Sequence, residues 1–256
     1  MKTSLASSTR GAQLFLIFCA IGSTLALYTL GVNSTALLLI LLGYFLYGCL
    51  GIVVTFHRCL THQSYQTTPI LTKVFSVLGC LAGTGSALAW VAIHINHHLK
   101  SDKPGDPHSP LYKGFKIFSL NYEVDVDVNT KWRMRHLVVD RYQQALHRYY
   151  FLILITWSSI LYMIGGLYLV AFLHWIPVVI TALMSNVVNY VGHSPSVPGG
   201  FRTYNLKDQS SNNWLWAIPS WGESWHNNHH RYPKNYTTAV GSQIDISGLI
   251  IRLIKK

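Results

Sequence analysis

Charge is what this sequence has least of. Only 11% of its 256 residues are charged, against ~25% in an ordinary soluble protein. Acidic residues number 9, while half of the chain is hydrophobic. That imbalance points to lipid as the solvent rather than water. Cysteine is also scarce. The four, Cys19, Cys49, Cys59 and Cys80, form no C-x-x-C pair and lie in or beside apolar stretches, which excludes a disulfide framework. They read as reduced packing or lipid-facing residues. Internal repeats and low-complexity tracts are absent, so residues 1–256 read as one domain. Lys and Arg total 20, for a net charge of +11. An excess of this size can mark a nucleic-acid binder or a membrane protein, and the positions of the charges decide between them.

Long apolar runs are what the chain does have. A spanning helix needs about 20 apolar residues, and the sequence offers spans at 13–30 and 34–56, with Gly31-Val32-Asn33 as the turn between them. Met1–Arg10 carries two basic residues ahead of the first run. No A-x-A cleavage site follows, so that run reads as an uncleaved membrane helix rather than a signal peptide. Residues 149–191 are apolar for about twice one span. They break near Gly165-Gly166 and again at His174-Trp175-Ile176-Pro177, which gives a hairpin with spans at 149–166 and 174–192. Residues 74–93 are apolar but interrupted by Gly79, Gly83 and Gly85, with histidines at both ends, and read as a buried or re-entrant segment. The expected fold is all-α, a four-helix membrane bundle with a helical cap. Neither far-side turn contains a Lys or Arg. All 20 basic residues therefore fall on one side, as the positive-inside rule requires of a cytoplasmic face. Topology explains the basic excess, and a nucleic-acid partner becomes unnecessary. Both termini and the active site are expected to be cytoplasmic.

The chemistry rests on histidine. Eight of the 13 fall in three clusters: His57-Arg58-Cys59-Leu60-Thr61-His62, His94-Ile95-Asn96-His97-His98 and His226-Asn227-Asn228-His229-His230. Spacings of three and four place the rings of the last two clusters on one helical face. The five-residue spacing of the first suits the frayed end of a helix leaving the bilayer. Eight neutral imidazoles packed together without a metal would leave many acceptor nitrogens unsatisfied. His193 follows the last apolar run, with Asn189 one turn earlier. Polar residues at membrane depth are functional by default, so this pair reads as a ninth ligand and a partner holding a metal-bound water. Nine nitrogens exceed what one metal needs, and two metals are implied. The ligand positions hold no Asp or Glu, so the site reads as strongly cationic. A zinc hydrolase would need only three ligands. His108, His136, His147 and His174 read as non-ligands, with His174 in the far-side turn.

The boxes and their flanks together resemble the membrane fatty acid desaturases, most closely the Δ9-type acyl-CoA and acyl-lipid branch. The pattern is H-x4-H, H-x2-HH and H-x2-HH. The flanks are His98-Leu99-Lys100-Ser101-Asp102, Asp106-Pro107-His108 and Gly114-Phe115, then Asp208 to Leu215 and Gly222-Glu223-Ser224-Trp225. Asn189 and His193 match the asparagine and extra histidine of that branch, and the resemblance covers roughly residues 34–233. It implies a centre of two irons that uses O₂ and two electrons to remove hydrogen from adjacent methylenes, leaving a cis double bond, with no catalytic residue beyond the metal ligands. Side chains do not break unactivated C–H bonds, so a metal is required.

Departures from the family pattern concern the carrier and the donor. Ala92 and Ile93 stand where acyl-CoA members commonly have charged residues, although Trp90 is retained as a substrate contact. The loop after Phe115 carries an acidic patch of Glu123, Asp125 and Asp127. Lipid, CoA and acyl-carrier protein thus stay open as carriers. The sequence contains no His-Pro-Gly-Gly haem motif, so electrons come from a separate donor of ferredoxin or cytochrome b5 type. Lys131, Arg133, Arg135 and Arg141 are candidates to dock it, or to meet anionic membrane lipid. Phe45, about three turns before His57, is a candidate to close the substrate tunnel. A fatty acyl or sterol hydroxylase shares the histidine scaffold. A non-catalytic metal-binding protein or transporter would need polar residues along the spans, which hold little beyond Asn186 and Asn189.

Overall fold

The computed structural model describes residues 2–119 and 126–256, with side chains over 9–118 and 126–256. Glu123 and Asp125 of the acidic patch lie outside these. The chain opens with α1 (Lys2–Leu30), which stops at Gly31. Asn33 caps the next helix by accepting from the amide of Ala36 at 2.9 Å. That helix, α2 (Ser34–Tyr44), runs unbroken into a π-helix over Phe45–Thr61. Among the described residues, three stretches are long and apolar enough to cross a membrane: Thr9–Leu30, Ser34–Thr61 and Tyr150–Val191. Their outward side chains are apolar too: Leu14, Ile21, Leu38 and Met163 are each more than half exposed. Water would penalise such a surface, whereas hydrocarbon does not.

The third stretch has 42 residues, about 63 Å of helix, twice the bilayer core. It folds back on itself. α9 (Tyr150–Val170) is interrupted at Gly165 and at Gly166, whose φ of +60° and ψ of −157° suit only glycine. The chain reverses there, and Ser158 Oγ meets His174 Nδ1 at 3.0 Å. The expected second break at His174–Pro177 does not occur. A π turn over Ala171–Trp175 leads directly into α10 (Ile176–Val191), and this local shift in hydrogen bonding accommodates Pro177, which has no N–H to give. His174 is therefore buried inside the hairpin rather than set in a turn, and its Nε2 lies 3.2 Å from the Leu81 carbonyl oxygen.

The glycine-interrupted segment is a helix–turn–helix. α3 (Pro69–Leu81) is capped by Thr68 and spans 13 residues, about 20 Å and too short to cross. Gly83 and Gly85, at φ +75° and +108°, turn the chain into α4 (Ala87–Lys100). The segment returns to its starting end, where His62 meets His94.

Shorter elements follow. They are α5 (Pro110–Lys113), a 3₁₀ turn over Gly114–Ser119, α6 (Val128–Arg133), α7 (Arg135–Val138) and α8 (Arg141–Arg148). After α10 come β1 (Gly200–Phe201) and β2 (Asn212–Asn213), paired antiparallel, then α11 (His226–Arg231) and α12 (Ile246–Ile254). All four cysteines are free.

Candidate metal centre

The first histidine pair depends on the π-helix. In an α-helix, residues five apart point about 140° away from each other. Here the backbone bonds five residues back, as from the His62 amide to the His57 carbonyl at 3.2 Å. His57 and His62 then lie one above the other, with ring centroids 4.9 Å apart. The expectation of a frayed helix end is corrected: the winding continues to the box and changes its period. His94, His97 and His98 share one face of α4. His226, His229 and His230 sit on α11, whose six residues are too few to hold as a helix alone. The two asparagines between them supply the support. Asn227 Oδ1 accepts from the amides of Thr203 and Tyr204, and Asn228 Nδ2 donates to Thr238 O and Gln243 Oε1. His193 follows α10 and is 1% exposed.

All nine histidines converge, in two groups. His57, His62, His94, His98 and His229 form one, and His97, His193, His226 and His230 the other. In each group the Nε2 atoms face one another. His57 and His229 are 3.1 Å apart, and His94 and His98 are 3.0 Å apart. His97 to His193 and His226 to His230 are both 3.1 Å.

Four carboxylates stand behind these rings. Asp102 accepts from His193 Nδ1 at 2.7 Å, Asp106 from His97 Nδ1 at 2.9 Å and Asp208 from His230 Nδ1 at 2.9 Å, while Glu223 sits against His57 Nδ1. A carboxylate acceptor fixes the ring proton on Nδ1 and turns the Nε2 lone pair inward. Each group could hold one metal ion. The four carboxylates place acidic charge directly behind the rings, which the expectation of a strongly cationic site did not include. Sequence had shown these acids only as flanking residues, and nothing in their spacing announces the pairing: Glu223 is 166 residues from His57.

Arg58, between the first two histidines, is fully buried. It donates to Glu223 at 2.7 Å and to Asp245 at 2.7 Å, so the chain Asp245–Arg58–Glu223–His57 ties the first box to the last. Asp245 is held down at about 2, because Arg58 and the hydrogen bonds from Arg58, Gly248 and Thr238 outweigh the burial that would raise it. Burial likewise raises Asp102, yet the hydrogen bond and charge of His193 hold it below the usual range. Burial pushes Asp106 up to about 6, against the amides of His108 and Asp102. For His62, His94, His98 and His229, burial and then neighbouring imidazoles drive the pKa well below 6.5, so these rings are neutral at neutral pH.

The other histidines spend ring nitrogens on the protein. His136 Nε2 bonds Leu60 O at 2.8 Å, and His147 Nδ1 bonds Ser86 Oγ at 2.7 Å. His108 is buried against His97, with centroids 4.1 Å apart, and Asp106 beside both. An apolar cavity opens in front of the rings. It is lined by Ile52, Trp90, Ile93 and Val188, with His94, His226, Glu223 and Asn189 at its polar end. Trp90 stacks on His94 at 5.0 Å. Phe45 does not line this cavity. It packs edge-on against Trp221, and its neighbour Tyr44 takes the lining position. The one-residue difference follows from the π winding, which shifts the phase of the face turned inward. The exposed Lys131, Arg133, Arg135 and Arg141 lie on α6, α7 and α8.

A profile of the fatty acid desaturase family matches residues 33–238. The sn-1 stearoyl-lipid 9-desaturase of Anabaena variabilis is 31% identical over 94% of this chain and 89% of its own length. Delta-9 acyl-lipid desaturase 1 of Arabidopsis thaliana is 34% identical over 81% of this chain and 68% of its own. A hex-5-enoyl-[acyl-carrier protein] acetylenase of Moorena producens is 29% identical over 85% and 73%. With most of its length and all three histidine boxes inside the match, the chain belongs to the fatty acid desaturase family and is an oxidoreductase.

Proposed function

We propose that this protein is an O₂-dependent acyl desaturase that places a cis double bond, Δ9-like, in a long acyl chain, using two irons. His57, His62, His94, His98 and His229 would hold one iron, and His97, His193, His226 and His230 the other. Asn189, on the cavity wall beside His226, would hold a metal-bound water. Two irons supply the oxidising power, with O₂ and two external electrons, that breaking C–H bonds demands. The protein's own part is positioning. Ile52, Ile93 and Val188 exclude water from the methylenes, and Trp90 packs against His94 where the cavity meets the rings. Asp102, Asp106, Asp208 and Glu223 keep the ring protons on Nδ1 through turnover. One observation carries this reading: two groups of inward-facing Nε2 atoms backed by carboxylates, beside an apolar cavity.

The topology proposed with it has four spans, a turn at Gly165–Gly166, and the histidines and both termini on the cytoplasmic side. The charge distribution supports this. The donor would be a separate ferredoxin or cytochrome b5 type protein that docks at Lys131, Arg133, Arg135 and Arg141. Neutralising those four residues should slow turnover with a reduced donor, and an unchanged rate would refute that dock. The function itself is tested by expression in cells of known lipid content, followed by mass spectrometry that locates double bonds. A new unsaturated acyl chain that disappears in His229→Ala is the expected result. A hydroxylated lipid instead would overturn desaturation.

A further inference from the structure

A second cavity lies between α1 and α10, apart from the one that faces the histidines. Gln13, Leu16 and Ala182 line both, so the wall between them is one side chain thick. The outer cavity opens toward lipid: Leu14, Ile17 and Leu183 on its rim are 70%, 56% and 50% exposed. Phe118 also lines it, and exposed Arg10 stands at one end.

The height of Arg10 matters. It stands at the start of the apolar run Thr9–Leu30, and so at one end of a candidate span, where headgroups would be. Leu16, the buried part of the wall, is six residues further along α1, about 9 Å deeper. A cation at headgroup level above an apolar slot matches one ligand class, an anionic headgroup carrying an acyl chain. Free acyl-CoA would approach from water and has no need of a lipid-facing slot.

Building on the desaturase reading above, we propose that the α1–α10 slot is a side portal. An acyl chain still esterified to an anionic glycerolipid passes through it from the bilayer to the inner cavity, displacing Leu16, while Arg10 holds the headgroup phosphate. The substrate is then a membrane lipid, and the carrier left open by the sequence is assigned.

Photo-crosslinking tests this without turnover. The full chain is reconstituted in vesicles with phosphatidylglycerol bearing a diazirine on its stearoyl chain, and the labelled residues are mapped. Parallel arms use the same acyl chain on phosphatidylcholine and on CoA. Phosphatidylglycerol should label Leu16 and inner-cavity residues such as Val188. Arg10→Gln should lower that labelling about fivefold, toward the phosphatidylcholine level. Leu183→Trp, a change on an exposed rim that leaves the core packed, should suppress inner labelling by lipid while outer labelling persists. The portal is refuted if lipid labels only outer residues, if neither variant changes inner labelling, or if CoA alone reaches Val188. Failure of the desaturase reading looks different: labelling stays as described while cells make hydroxylated rather than unsaturated lipid.

Discussion

Asp208 and His230 show how residues outside the histidine boxes set the site. The pair is 2.9 Å apart across 22 residues of sequence. Asp208→Asn replaces a charged acceptor with an amide and removes the hold on the tautomer of His230. Metal affinity should fall about 10–100-fold, measured by titration with a competing chelator; unchanged affinity would mean that the carboxylate does no more than pack. Arg58 matters in a different way. Arg58→Leu leaves Glu223 and Asp245 buried without their cation, at a cost of about 3–5 kcal/mol, which should appear as a lower melting temperature and poor yield.

Acid also acts at this scale. His94 and His229 titrate well below 6.5 in the folded chain, but near ~6.5 when unfolded. Below that value the unfolded state binds more protons. Metal-free protein should therefore lose stability steadily as pH falls from about 7 toward 5, and gain it as pH rises. Metal loading should weaken in the same direction, as protons compete for Nε2. A melting temperature that is flat across this range would contradict the neutral-ring assignment. His94, His97 and His98, like His226, His229 and His230, were legible in the sequence because a short spacing on one helix makes one face, whereas the alignment of His57 with His62 needed the π winding. Their four carboxylates were not, because each pair is made by tertiary folding.

Among the elements, the π-helix over Phe45–Thr61 is the least expected. Apolar composition identified a helix here but could not give its period, which only backbone bonding reveals. The same period makes the H-x4-H spacing workable and brings Tyr44, not Phe45, to the cavity. Inserting one alanine between Cys59 and Leu60 should swing His62 out of its group by about one residue's rotation, roughly 100° in an α-helix. Bound metal should drop from two ions to one, since the group of four is untouched. Retention of both would show that the box tolerates changes in register. The turns were partly readable. Gly165–Gly166 and Gly83–Gly85 mark real reversals, whereas His174–Pro177 looked like a turn and is continuous helix. A proline and a polar ring suggest a loop, but the π turn accommodates the one and Ser158 and Leu81 satisfy the other.

At the scale of the whole molecule, the distribution of Lys and Arg separates the two ends of the bundle. Single cysteines introduced at Val32 and at Lys234, in a chain whose native cysteines are replaced, should be labelled from opposite faces of sealed vesicles; labelling from one face would refute the four-span topology. Everything else follows from what the histidine end holds. The most direct measurement is the iron content of the purified chain. The two histidine groups predict two irons per chain, falling to one or fewer in His229→Ala. A single zinc, or two irons that survive loss of His229, would contradict the two-group centre.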